Sequence, residues 1–372
     1  MRRAFYVIVF FLTSVSFAQL DALDDIPKNT KREVLIQKPE FFVMDWKKGT
    51  SLTQKNTPMY ILVDSLGRQE VSLLINEKNE PFLYSSEITT PVCADGECRL
   101  MHISLYWTLL GGYAGFDRYP NLPLTKHDHD EFLKEDYQKL HRLLMDKHSV
   151  LGRRTINALV EKPKQTDMEG VDAVSGATVA AVKESVVSGA LYSCYITWNL
   201  VYGEIRHQLK KHTLSLLNDG IVVQMLYNSN VDYQIFALKR FNEKQYEQHN
   251  LRIAEIFEIG IPLIRTFIIK NLPDSFWNTS ELQQQFWKSF SILDVNSRSL
   301  LFEHLEMAPE STIKEISKKL RILTKNQLKA YLNCVEKRKV DQSIMANLIV
   351  FSNSPSENYN YLVEEFLEQY EN

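Results

Sequence analysis

The residue best suited to chemistry is Thr178, which closes the run Val171-Asp172-Ala173-Val174-Ser175-Gly176-Ala177-Thr178. Asp172 and Ser175 are turn and helix-cap residue types. Gly176 permits a tight turn and the close approach of a bulky group to the backbone, and Ala177 adds no bulk. Beyond the run, Val179, Val182, Val186, Ala190, Leu191, Cys194, Tyr195 and Trp198 keep helical spacing. That pattern predicts a long helix from near Ala177 to about Ile205. Thr178 would then lie in its first turn, with its hydroxyl beside unpaired N–H groups that attract anions. A phosphate esterified to Thr178 Oγ would gain about 0.3–1 kcal/mol from the helix dipole there.

The elements that must position this residue are legible in outline. Met59–Val63 and Glu70–Ile75 are β-rich runs separated by a turn-like Asp64-Ser65-Leu66-Gly67-Arg68, a hairpin signature. Pro81 to Tyr84 predicts another strand. Leu100 to Leu110 is rich in aromatic and β-branched residues, Gly111-Gly112 breaks it, and Tyr113 to Phe116 resumes it. Together these predict an antiparallel sheet. Phe132, Tyr137, Leu140, Leu143 and Leu144 then follow the spacing of one helix face.

The motif resembles the flavinylation sequence Asp-x-x-Ser/Thr-Gly-Ala-Thr/Ser of the FMN-binding domain family, with Asp172, Ser175, Gly176, Ala177 and Thr178 at the specified positions. That family includes the FMN-carrying subunits of sodium-pumping NADH:quinone reductases and related exported flavoproteins. The resemblance implies that a flavin transferase moves FMN from FAD onto Thr178. Asp172, Ser175 and Gly176 would then be recognition and loop-shaping residues. It covers about residues 59–205, is sharp at the motif and loose elsewhere, and the long insertion Asp117 to Gly170 departs from it. The stretch Pro91 to Phe116 also looks like exported proteins that carry this domain. An isoalloxazine ring needs a partly apolar slot, which aromatic residues commonly supply. Trp107, Tyr113, Phe116 and Trp198 are candidates, each weighed against core packing. Tyr113, following two glycines, is the first of them, since such a turn suits a surface cleft.

Other clusters carry less. Cys93 and Cys98 flank Ala-Asp-Gly-Glu and could close a local disulfide worth roughly 2 kcal/mol, or form a free or redox-active pair. The run His127-Asp128-His129-Asp130-Glu131 has metal-ligand residue types, but directly before a helix it reads as a capping and solvated loop. No Cys-x-x-Cys-His, iron–sulfur cysteine pattern, Gly-x-Gly-x-x-Gly, P-loop or Gly-x-Ser-x-Gly occurs.

Arg2 and Arg3 precede a dozen nearly all apolar residues and then Ser16-Phe17-Ala18, which predicts a signal peptide cleaved near Ala18. The apolar run is short of the ~20 residues of a spanning helix. The net charge of -3 gives no global basic field for nucleic acid or anionic lipid.

After His207 the pattern is helical throughout. Asp294, Thr324 and Ser354 are cap residue types thirty residues apart, each preceded by apolar residues. This spacing predicts stacked helical hairpins, with an irregular bundle as the alternative. The expected organisation is a signal peptide at 1–18, a flexible segment at 19–57 with one strand around Phe41 to Met44, an FMN-binding-like domain at 58–205 and an α-helical region at 206–372. The fold class is α+β, a small antiparallel sheet with helices followed by a solenoid-like all-α region. The expected function is extracytoplasmic electron transfer through FMN on Thr178, with a membrane or extracytoplasmic redox partner. Two alternatives stand beside it: a helical interaction protein without flavin, and a flavin-dependent extracytoplasmic reductase.

Overall fold

A computed structural model describes residues 34–63, 67–92, 99–126, 130–159, 180–338 and 341–371. The chain divides into two compact units, Met1–Leu209 and Lys210–Asn372.

The first unit is built on a sheet. Its strands are β1 (Val34–Leu35), β2 (Phe41–Phe42), β3 (Leu52–Gln54), β4 (Met59–Val63), β5 (Gly67–Ile75), β6 (Pro81–Thr90), β7 (Met101–Thr108) and β8 (Tyr113–Arg118). They run in the order β1-β3-β5-β6-β7-β8-β2, with β4 also pairing with β5, and every pairing is antiparallel. The hairpin of β4 and β5 and the break between β7 and β8 fall where the alternation and the glycines predict them. Gly111 sits in the left-handed region at φ +72. Gly111 N and Thr108 N close the turn by donating to Thr108 O and Gly112 O.

In the segment expected to be flexible, β2 falls at the strand expected around Phe41 to Met44, and β1 and β3 are additional. Residues 34–57 supply β1, β2 and β3, and Phe41, Phe42, Met44 and Leu52 are buried. Their partners are distant in sequence: Phe41 pairs with Phe116, and Thr53 pairs with Ile75.

The helices that follow are α1 (Lys134–Met145), α2 (Ile156–Leu159), α3 (Ala180–Lys183), α4 (Leu191–Tyr202) and α5 (Glu204–Leu216), and α1 packs against β8 and α4 against β7. The stripe Phe132, Tyr137, Leu140, Leu143 and Leu144 is buried as its spacing requires. The long helix expected from Ala177 to Ile205 does not form. It is interrupted between Lys183 and Leu191, where Gly189 adopts φ +72. In this turn Val186 and Val187 are both buried, and Val187 N donates to Cys194 Sγ at 3.4 Å.

The second unit is all helix. Its elements are α6 (Asp219–Tyr227), α7 (Val231–Leu238), α8 (Glu243–Gln248), α9 (Asn250–Ile259), α10 (Pro262–Asn271), α11 (Asp274–Trp277), α12 (Ser280–Lys288), α13 (Val295–Phe302), α14 (Glu310–Ser317), α15 (Lys325–Glu336), α16 (Gln342–Ser352) and α17 (Asn360–Glu371). From α12 onward a short unit recurs. The N-caps Thr279, Asp294, Pro309 and Thr324 fall fifteen residues apart. One-turn 3-10 segments at Phe290–Ile292, Leu305–Met307 and Leu320–Ile322 precede the last three. Equivalent positions share burial: Phe290, Leu305 and Leu320 are interior, as are Leu293, Ala308 and Leu323.

From α12 onward successive helices point in opposite directions, so helices two apart lie side by side with the same sense, and the start of α10 joins that of α13. Arg265 in the first turn of α10 donates to the Asp294 carboxylate that caps α13, at 3.3 Å. Gln327 in the first turn of α15 donates to Val295 O and Ser299 Oγ of α13, at 3.0 and 2.9 Å. At the far end, Arg338 beyond α15 donates to Ala308 O beside the start of α14, at 2.9 Å. The sequence spacing of thirty therefore corresponds to two of these steps. Asp294 and Thr324 are N-caps as expected. Ser354 is not, because turns occupy the residues up to α17, which starts at Asn360.

Candidate functional site

The attachment motif itself, Asp172, Ser175, Gly176, Ala177 and Thr178, lies outside the described residues, as do Cys93, Cys98 and His127 to His129. The structure instead defines the frame that receives the motif's C-terminal end. α3 begins two residues after Thr178 and places Val182 fully inside the domain. The following turn is tied down by side chains on three neighbouring segments. Ser193 Oγ donates to Thr125 O at 3.3 Å. Lys126 Nζ pairs with the Asp136 carboxylate of α1 at 2.8 Å. Cys194 is completely enclosed here, and burial pushes its thiol up to about 12.

The start of α1 has its own cap. Leu133 N donates to Asp136 Oδ2 at 2.9 Å, so the cap comes from inside the helix. Asp130 and Glu131, expected there, stand further upstream, with Glu131 bridged to Thr125.

The aromatic candidates are interior residues. Trp107 has no exposed surface, and its Nε1 donates to Val201 O on α4 at 3.1 Å. Phe116 is likewise enclosed and stacks on Phe41 with centroids 4.5 Å apart. Trp198 is buried, with Nε1 donating to Asp146 O at 3.0 Å. Tyr113 differs from its expected place at a surface cleft, since its ring is 6% exposed. Its hydroxyl lies 2.7 Å from His141 Nδ1 on α1. Burial, reinforced by nearby Tyr202, drives the Tyr113 hydroxyl well above the usual phenol range. Burial, with Arg142 adding to it, lowers the His141 pKa. Both shifts favour the neutral pair, in which the phenol donates and the imidazole accepts. Phe41, Phe116 and Tyr137 surround the pair.

The chain matches no family model, no curated protein and no solved structure. Its site is therefore read from its own residues.

One feature escaped the sequence reading. Residues alternating with Trp107 point to the sheet face away from α4, and that face is polar. Glu70 and Ser72 of β5, Ser85 and Glu87 of β6, and Ser104 and Tyr106 of β7 line a cavity of about 230 Å³. Tyr106 donates to Asp117 Oδ2 at 3.0 Å, and Ser104 Oγ lies 2.9 Å from Tyr119 Oη. The signal was present as an alternation of polar residues in three consecutive strands. Among the described residues no cluster of His, Cys, Asp and Glu is arranged to hold a metal, and no helix is long and apolar enough to cross a membrane.

Proposed function

We propose that this chain is an exported flavoprotein that carries FMN in phosphoester linkage on Thr178 and transfers electrons outside the cytoplasm. The single observation that carries the reading is the run Asp172-Ala173-Val174-Ser175-Gly176-Ala177-Thr178, which resembles the flavinylation motif at each specified position. Its setting supports it: an antiparallel sheet precedes the run, and helices anchored by buried residues follow it. Four peptide units separate Thr178 from the enclosed Val182, so the chain can carry the hydroxyl no more than about 14 Å from that anchor.

In maturation, the Thr178 hydroxyl gives up its proton, Oγ bonds to the FMN phosphorus, and the pyrophosphate bond of FAD breaks with AMP leaving. A flavin transferase supplies that step. FMN, once bound, supplies one- or two-electron transfer. The protein's part is to hold it, and a tether keeps it at a local concentration of about millimolar or above where free FMN would be diluted. A membrane or extracytoplasmic redox partner delivers the electrons. The finer fold assignment, an FMN-binding domain followed by a solenoid-like helical region, belongs to this same proposal.

The test is co-expression of the chain with a flavin transferase, followed by a denaturing gel viewed for flavin fluorescence and by intact-mass measurement. The expected result is a fluorescent band with the mass of one FMN adduct, both lost in Thr178→Val. A dark, unmodified wild-type band sinks the proposal. It would leave the interaction-protein reading, which the all-helical second unit favours. A flavin-dependent reductase would instead show saturation with its acceptor during stopped-flow reoxidation.

A further inference from the structure

The second unit gathers four helix starts on one edge. Arg265 joins the starts of α10 and α13, and Gln327 joins those of α13 and α15. The start of α17 adjoins that of α15, where Arg321 pairs with Glu357 at 2.9 Å and Lys325 Nζ lies 5.6 Å from the Tyr361 ring centroid. Aligned helix starts add their positive dipole ends.

The turns on this edge carry exposed aliphatic side chains at equivalent places. Ile259, Ile292 and Ile322 each stand two residues before an N-cap, and are 72%, 63% and 36% exposed. Ile261, Leu263 and Val295 extend the row and are also exposed. These residues are not core: the interior is filled by their neighbours Ile264, Leu293 and Leu323.

The same edge is basic. Segments 257–265, 288–298, 318–325 and 352–361 contain seven Lys and Arg against three Asp and Glu, in a chain whose net charge is -3. Arg265, Arg321 and Lys318 are paired with Asp294, Glu357 and Glu315, so the local excess rests on the remaining lysines, Lys288, Lys319 and Lys325. Lys288, Lys319 and Lys325 belong to the same segments as the aliphatic side chains. The overall negative charge conceals this local positive field.

We propose that this edge docks on an anionic phospholipid surface. Aliphatic side chains at the tips of turns enter the boundary between headgroups and acyl chains, while lysines, arginines and helix starts meet lipid phosphates. Aliphatic side chains at separate turn tips, in segments with an excess of lysine, suit a headgroup layer. The inference rests on the second unit and is independent of Thr178.

The experiment is sedimentation of the purified full-length chain with vesicles of phosphatidylcholine alone or with about 30% phosphatidylglycerol. The apolar N-terminal run is common to every variant, so differences between variants report the edge. Wild type is expected to sediment with the anionic vesicles, to bind neutral ones at least tenfold more weakly, and to be released by salt. Lys288→Glu, Lys319→Glu and Lys325→Glu, with unchanged circular dichroism, should each weaken binding about fivefold or more. The triple variant Ile259→Ser, Ile292→Ser, Ile322→Ser should lose the residual binding that survives high salt. Equal binding to neutral and anionic vesicles overturns the proposal. So does a wild-type chain that stays in the supernatant, or folded variants that bind as tightly as wild type. Selective capture of a soluble protein by the edge, without vesicle binding, overturns it in favour of a protein interface.

Discussion

Removing the Asp294 carboxylate should loosen the helical unit by an amount its contacts define. Asp294 caps α13 by accepting from Ser297 N at 3.0 Å, and it accepts from Ser297 Oγ at 2.6 Å and from Arg265 at 3.3 Å. Loss of an N-cap costs about 1 kcal/mol. Ser297 is fully buried, so leaving its hydroxyl without a partner adds about 1 kcal/mol. The partly exposed ion pair contributes at most about 1 kcal/mol. Arg265 stays satisfied in either case, because it also donates to Phe257 O and Glu258 O. Asp294→Ala should therefore cost about 2–3 kcal/mol, whereas Asp294→Asn keeps a capping oxygen and should cost less than about 1 kcal/mol. The assay is urea unfolding by far-ultraviolet circular dichroism, with amide exchange in the first turn of α13 to localise the effect. Acid provides an independent check. Burial raises the Asp294 pKa, but the bonds from Ser297 and Arg265 outweigh it, so the folded value lies below the ordinary 3.8. A depressed carboxylate stabilises above its unfolded pKa, and that contribution disappears as pH falls through the folded pKa. The gap between wild type and Asp294→Ala should thus be full at neutral pH and shrink in acid below the unfolded value. Equal destabilisation by the alanine and asparagine variants, or a gap that widens in acid, would refute the reasoning.

Other outcomes follow from single contacts. Gly111→Ala should cost about 2–5 kcal/mol, because a Cβ there meets Arg206 O at 2.5 Å in a left-handed backbone, and thermal unfolding would reveal it. Tyr113→Phe leaves half-buried His141 without its 2.7 Å partner and should cost about 1 kcal/mol in urea unfolding. Cys194 should resist thiol reagents at neutral pH in the folded chain and react after denaturation, since burial lifts its thiol to about 12. Rapid labelling of Cys194 in the native state, read by peptide mass, would contradict that placement.

What the amino-acid pattern reveals here depends on whether a signal is local. β4 and β5 are neighbours joined by a short turn, and α1 carries a full helical stripe, so both were legible. Asp294 and Thr324 announce themselves as caps because each accepts from a backbone N–H three residues onward. β2 was legible in outline as a strand around Phe41, whereas β1 and β3 were not, since two or three residues hold no periodicity and their partners lie far along the chain. The interruption before α4 was hidden because Val182, Val186 and Ala190 satisfy helical spacing whether or not the backbone turns between them. Tyr113 was misplaced for a related reason: the glycines mark a turn, but burial of the next ring is decided by α1 and β2, which come from elsewhere in the chain. The insertion Asp117 to Gly170 supplies α1, whose position no motif encodes, so its packing against β8 could not be anticipated from sequence.

The alternation of helix sense in the second unit limits how such a chain can change length. Adding or removing a single fifteen-residue step would turn every later helix end for end. It would carry the basic, aliphatic turns to the opposite edge and separate Gln327 from α13. Only pairs of helices can be gained or lost without that inversion, so the natural quantum of variation in this array is thirty residues.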